Sequence, residues 1–251
     1  MFGFFKKLTE ASERRAIDDA VLLMAANQGV AKAQYDLGEC YATGQGMRRD
    51  YTEAVKWIRK AAEQNYALAQ LRLGICYYNG EGVAVDYAEA VKWYRKAADQ
   101  GNADAQSCLG YCYDTGEGVA KDCAEAVKWF HKAADQGNVI AQRNLGVCYD
   151  TGKGVAKDYL EAVKWFRKAA NQGHADAEND LAICYFSGNG VPKDLVEAVK
   201  WLNLASSQGH APAKRNLSKI EQKLTREQIA EAQRLAREFQ PYKELASGNS
   251  N

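Results

Sequence analysis

Seven cysteines, three histidines, five Gly-x-Gly loops and a recurring cluster of lysines and arginines are the residues whose types could do chemistry here. Thiols can act as nucleophiles or metal ligands, imidazoles as proton carriers, Gly-x-Gly turns as phosphate cradles, and a cationic ladder as a nucleic-acid surface. Their spacing argues against each of these. Cys40, Cys76, Cys112, Cys148 and Cys184 recur every 36 residues. Successive copies of a stacked helix lie about 10 Å apart, beyond the roughly 7 Å Cα limit for a disulfide. With an odd total, these five are expected to be free core thiols. Cys108 and Cys112 sit four apart on a helix, half of a metal site, but no histidine or second cysteine pair completes it, so no metal is expected. His174 and His210 share one loop position a repeat apart, His131 stands alone, and no Ser or Cys lies in a nucleophile elbow, so no catalytic residue is assigned. Loops such as Gly80-Glu81-Gly82 lack a preceding strand and a following Lys-Ser/Thr; they read as turns, and no cofactor is expected. The triplets Lys56, Arg59, Lys60; Lys92, Arg95, Lys96; and Lys164, Arg167, Lys168 form a ladder. Acids on the same helices offset it, with Glu53 three residues before Lys56, so it reads as a solvated face, nucleic-acid binding being the rival.

The same period of 36 governs all five tryptophans, Trp57, Trp93, Trp129, Trp165 and Trp201. An internal repeat of this length means a stack of supersecondary units that bury their apolar stripes only against neighbours. The units run 31–66, 67–102, 103–138, 139–174 and 175–210. Each reads as two helices. In helix A, Ala33, Leu37, Cys40 and Gly44 fall on one face, and the Gly-x-Gly turn ends it. Helix B opens with an aspartate three residues before a glutamate, as in Asp50/Glu53 and Asp122/Glu125, the spacing of a capping box. It buries Ala54, Trp57 or Ile58, Ala61 and Ala62, and stops at a glycine such as Gly101, or at Asn65 in the first unit. Small residues, Gly38 and Ala54, let the paired helices approach closely. Residues 1–30 supply an N-terminal segment and a capping helix. Residues 211–240 supply a degenerate sixth repeat and a C-terminal capping helix, with a capping box at Thr225–Gln228 and a stop at Pro241. Residues 241–251 form a tail.

Composition fits that reading. With 47% apolar and 26% charged residues and a net charge of +1, disorder and global attraction to nucleic acid or anionic lipid are disfavoured. The longest apolar run, Ala20 to Ala26, is far short of the roughly 20 residues of a membrane span. The Phe2, Phe4, Phe5 patch precedes its lysines, the reverse of a secretory signal, so a cytoplasmic protein without stable membrane insertion is expected, the patch packing on the first helix or touching a membrane weakly.

Units such as ADAQSCLGYCYDTGEGVAKDCAEAVKWFHKAADQGN (103–138) resemble Sel-one-like repeats, relatives of tetratricopeptide repeats. Ala105, Leu109, Gly110, Tyr113, Gly116, Gly118, Asp122, Ala126, Trp129, Ala133, Ala134 and Gly137 all fall in register, and the resemblance extends over about 31–217. It implies an all-α fold, an α/α solenoid (right-handed superhelix) of 36-residue two-helix repeats with capping helices at both ends, and a scaffold that holds other proteins. One cysteine-rich branch of the family pairs cysteines separated by seven intervening residues; the matching positions here are Ala98 and Gln106, so the chain departs from that branch. A β-lactamase-like or other hydrolase is the alternative that the branch suggests.

Where the internal copies differ, positions are free for recognition. On helix A these are the second, fifth, sixth, ninth and twelfth of each unit, clustered opposite Leu37. In tetratricopeptide-like stacks helix A lines the concave surface, so the resemblance places a groove there. Its candidate residues are Tyr35, Leu71, Arg72, Ile75, Tyr78, Tyr111, Asp114, Arg143, Val147, Ile183 and Phe186, an apolar spine edged by arginine and acid. The expectation is a non-enzymatic adaptor that binds an extended or helical segment of a protein or peptide partner. It is expected to be a monomer, with homo-oligomerisation through the groove as the alternative.

Overall fold

A computed structural model of the chain describes residues 20–239. The N-terminal Phe patch, Pro241 and the tail lie outside the described residues. All regular structure among those described is helical. The chain forms two compact units that meet in sequence between Lys121 and Asp122.

The first unit holds α1 (20–27), α2 (Ala31–Thr43), α3 (Tyr51–Glu63), α4 (Ala67–Asn79), α5 (Tyr87–Asp99) and α6 (Ala103–Thr115). The second holds α7 (Cys123–Asp135), α8 (Val139–Thr151), α9 (Tyr159–Asn171), α10 (Ala175–Ser187), α11 (Leu195–Ser207), α12 (Ala211–Glu221) and α13 (Arg226–Glu238). From α2 to α6, and again from α7 to α12, each helix packs on the next in sequence, and α13 returns onto α11. This is the all-α, α/α solenoid arrangement that the 36-residue period predicts.

The core of each unit is built from small residues of both helix types around larger anchors. Ala54, Ala61, Ala69 and Leu73 join Ile58 in the first unit; Ala162, Ala169, Ala177 and Leu181 join Phe166 in the second. Trp93, Trp129, Trp165 and Trp201 are buried, whereas Trp57 is half-buried. Gly74 explains the tight pairing of α4 and α5, because a Cβ there would lie 2.6 Å from the Tyr94 ring.

Helix starts follow the sequence with one difference. Asp50 accepts hydrogen bonds from the amides of Thr52 and Glu53 at 2.9 and 3.1 Å, and Asp86, Asp122, Asp158 and Asp194 cap their helices likewise. Glu53 does not reach back to close the box; it pairs forward with Lys56 at 2.6 Å. The reason is that the Asp50 amide already donates to the Tyr41 carbonyl, as do those of Asp86, Asp158 and Asp194 to Tyr77, Tyr149 and Tyr185. A complete box forms at Thr225 and Gln228, where each side chain bonds to the other residue's backbone amide.

The two glycines of each Gly-x-Gly turn have different duties. Gly80 ends α4 in the left-handed region at φ 75°, as a helix C-cap often requires. Gly82 lets two elements touch: a Cβ there would lie 2.1 Å from the Tyr51 carbonyl oxygen at the start of α3. Gly118, Gly154 and Gly190 meet the carbonyls of Tyr87, Cys123 and Tyr159 in the same way.

Candidate functional site

In the first unit the variable positions of α2, α4 and α6 form a connected surface. Tyr35 packs edge-on against Tyr66, with ring centroids 5.5 Å apart. Glu39, one turn along α2, accepts from Arg72 at 2.9 Å, and Glu81 from the loop after α4 accepts from the same guanidinium at 2.8 Å. Burial opposes the charge of Arg72, but the Glu81 hydrogen bond, with the fields of Cys76, Glu39 and Glu81, raises its pKa. Leu71 and Ile75 are half-buried beside it. Tyr78 packs edge-on against Tyr87 at 5.0 Å and donates its hydroxyl to Glu117. Burial and that hydrogen bond push the phenol well above its ordinary range. Tyr111 is 44% exposed, and Asp114 is half-buried.

In the second unit Arg143 of α8 pairs with Asp180 of α10 at 2.9 Å. Burial raises the Asp180 pKa against the pull of that arginine. Val147 is half-buried, Ile183 is 43% exposed, and the Phe186 ring lies under the ammonium groups of Lys193 and Lys223, 5.6 and 4.8 Å from its centroid. Not every variable position is open: Ser107 and Asn179, fifth in their units, are buried.

The chemistry-bearing residues have structural partners. All seven cysteines are thiols outside any disulfide; Cys76, Cys112, Cys148 and Cys184 are buried, while Cys40 is half-buried. Burial pushes the Cys76 and Cys108 thiols up to about 11, and Cys112 and Cys184 up to about 12, far from the thiolate form that reacts or binds metal. No cluster of three or more His, Cys, Asp or Glu able to hold a metal occurs among the described residues. His174 and His210 cap α10 and α12, their Nδ1 atoms accepting from the amides of Ala177 and Ala213. His131 meets the Tyr149 hydroxyl at 3.1 Å.

The ladder is engaged likewise. Lys56, Lys92, Lys128 and Lys164 pair with the glutamate three residues earlier at 2.5 to 2.8 Å. Arg59, Arg95 and Arg167 donate to the hydroxyls of Tyr77, Tyr113 and Tyr185. Lys60, Lys96, Lys132 and Lys168 lie 3.8 to 4.0 Å from the ring centroids of Trp57, Trp93, Trp129 and Trp165.

A family model described as Sel1 repeat matches residues 31–66, 67–102, 103–138, 139–174 and 175–210. The chain belongs to the Sel1 repeat family. Among solved structures, a protective antigen present in uropathogenic Escherichia coli strains and displaying an SLR fold is 37% identical over 86% of this chain, with a TM-score of 0.77. This chain spans 47% of that protein's length. A Sel1 repeat protein from Oxalobacter formigenes is 34% identical, with 86% of this chain and 87% of that one covered and a TM-score of 0.75. The immunity protein Pa5087 of Pseudomonas aeruginosa, at 21% identity, a TM-score of 0.50 and 88% coverage of each chain, shares the fold alone. No curated protein matches the chain. Sel1 repeat proteins are generally protein-interaction scaffolds.

The Sel1 repeats here share a joint that the helical pattern of the sequence does not reveal. Gln34, Gln70, Gln106 and Gln142 are buried, and each donates its amide to a backbone carbonyl eight residues earlier, at 3.1 to 3.3 Å. The side-chain oxygens of Gln34, Gln70 and Gln142 accept from Gln64, Gln100 and Gln172, 30 residues on. In the fifth repeat the residue is Glu178, 1% exposed, which accepts from Gln208 at 2.9 Å. Burial pushes its carboxyl up to about 7, against the Gln208 hydrogen bond.

Proposed function

We propose that this chain is a non-enzymatic adaptor that holds an extended or helical segment of another protein against the exposed faces of its A helices. The observation that carries the reading is the apolar and aromatic surface at positions where the repeats differ: Leu71, Ile75, Tyr78 and Tyr111 in the first unit, Val147, Ile183 and Phe186 in the second. Residues common to the repeats are consumed by the core and the joints, whereas these present side chains that a partner would desolvate. Arg72 and Arg143 act in this reading as ordered polar edges, held by Glu39, Glu81 and Asp180. Tyr35 and Asp114 belong to the same set of variable positions in the first unit.

Support for a protein partner over nucleic acid comes from the ladder, whose cations are matched by glutamates, tyrosines and tryptophans of the fold. No helix among the described residues is long and apolar enough to cross a membrane. We place the protein in the cytoplasm as a monomer without a cofactor. The test compares wild type with the Leu71→Glu/Tyr78→Glu/Tyr111→Glu variant in a pull-down, after circular dichroism and melting show the two equally folded. A partner retained by wild type and lost by the variant supports the reading; a partner retained equally by both removes it. Nitrocefin turnover by the purified protein is expected to be absent.

A further inference from the structure

The first unit's face carries a charge imbalance that narrows the partner. Lys32 and Asp36 cancel as an ion pair at 2.6 Å. One guanidinium, Arg72, answers two carboxylates, Glu39 and Glu81, so a negative charge remains there. Glu117 accepts from the Tyr78 hydroxyl, a neutral donor whose phenol stays protonated and so leaves the carboxylate's charge uncancelled. These surplus charges flank Leu71, Ile75, Tyr78 and Tyr111. A like-charged surface repels a second copy of itself, and an acidic or uncharged segment gains nothing from it, whereas a cationic one is steered and held.

We propose that the A-helix face of the first unit docks a basic amphipathic segment of another protein, with apolar side chains on the strip from Leu71 to Tyr111 and lysine or arginine against Glu39, Glu81 and Glu117. This rests on the segment-binding reading above and adds the chemical class. The arginine is presented with an ordered pair of carboxylates, and Glu117 is held in place by the tyrosine that forms the floor of the strip.

The probe is a random dodecapeptide library displayed on phage and selected on the immobilised full chain, with enriched peptides measured by fluorescence anisotropy. Three proteins are compared: wild type, Leu71→Glu/Tyr111→Glu, and the isosteric Glu39→Gln/Glu81→Gln/Glu117→Gln, all checked for equal helicity and melting. The expected result is enrichment of peptides that combine apolar residues with an excess of Lys and Arg. Their affinity falls about tenfold or more in the Gln variant and at high salt, and is lost in the Leu71/Tyr111 variant. Neutral or acidic peptides that need Leu71 and Tyr111 but ignore the Gln variant would overturn the basic class and leave segment binding intact. Enriched peptides indifferent to Leu71 and Tyr111 would overturn both. A wild-type dimer in sedimentation that Tyr111→Glu dissociates would make the occupant a second copy and likewise overturn the proposal.

Discussion

At the scale of single residues, Glu178 is where one changed atom has the largest consequence. Its four glutamine counterparts each donate to a carbonyl, and by the repeat the corresponding acceptor is Ala170. A carboxylic acid can donate there; a carboxylate cannot. Its folded-state pKa of about 7 lies above the roughly 4.3 of an unfolded glutamate. The native state therefore keeps a proton that the unfolded state releases, and stability declines as pH rises from about 4.3 to about 7, then levels. Glu178→Gln should stabilise the protein by roughly 3 to 4 kcal/mol at pH 8 and by little at pH 4, measured as urea midpoints across pH. His174 works oppositely. Burial lowers its pKa, so the stability of the neutral cap it supplies through Nδ1 is full above about pH 6.5 and is lost as the pH falls from there through the lowered folded-state value; a His174→Asn variant, carrying the cap that Asn102 and Asn138 provide, should lack that acid-side loss. The Gln-to-Glu exchange stands openly in the sequence, yet helical periodicity cannot say that a polar side chain at this place is buried. The thiols were legible in four of the five repeats, where the spacing that forbids disulfides also buries them; Cys40, in the first repeat, is half-buried. Dithionitrobenzoate should accordingly react quickly with all seven only after denaturation, with Cys76, Cys112, Cys148 and Cys184 the slowest in the native protein.

At the scale of elements, tryptophan, alanine and aspartate at fixed offsets made the helices readable, because each is dictated by one local demand: volume, close approach or a cap. Trp129→Ala should cost about 3 to 5 kcal/mol, as removal of a buried aromatic does, seen as a lower urea midpoint with helicity preserved below it. What stayed hidden depends on contacts between residues far apart in sequence. The pairing of Glu53 with Lys56 stood in the sequence, but not the bond from the Asp50 amide to the Tyr41 carbonyl that leaves the capping box open. The engagement of Arg59 by Tyr77 spans 18 residues. The second glycine of each turn read as turn chemistry, whereas Gly118 is required because the Tyr87 carbonyl fills the space a Cβ would occupy. Gly118→Ala should therefore destabilise the protein more than Gly101→Ala, where no atom lies within 4 Å of the added Cβ; both residues have positive φ, so the difference between their melting shifts isolates the contact.

At the scale of the whole molecule, 33 cations and 32 anions give no long-range pull toward polyanions, and the lysines and arginines of the ladder already have partners. Elution from heparin at low salt is expected, and retention to high salt would contradict the assignment of the ladder to the fold. The candidate site was legible only as a set of variable positions: that Tyr111 and Ile183 would be open while Ser107 and Asn179 are covered depends on how neighbouring helices lean on one another, which repeat arithmetic does not contain. The glutamine joint carries a manufacturing consequence. Because Gln34, Gln70, Gln106 and Gln142 make interchangeable fastenings, a module such as 67–102 can be deleted or copied in frame and its neighbours will find the same mating parts. Lineages can lengthen or shorten such a protein by unequal recombination without redesigning an interface. The fifth module is the one part that is not standard stock, since its fastening holds a removable proton.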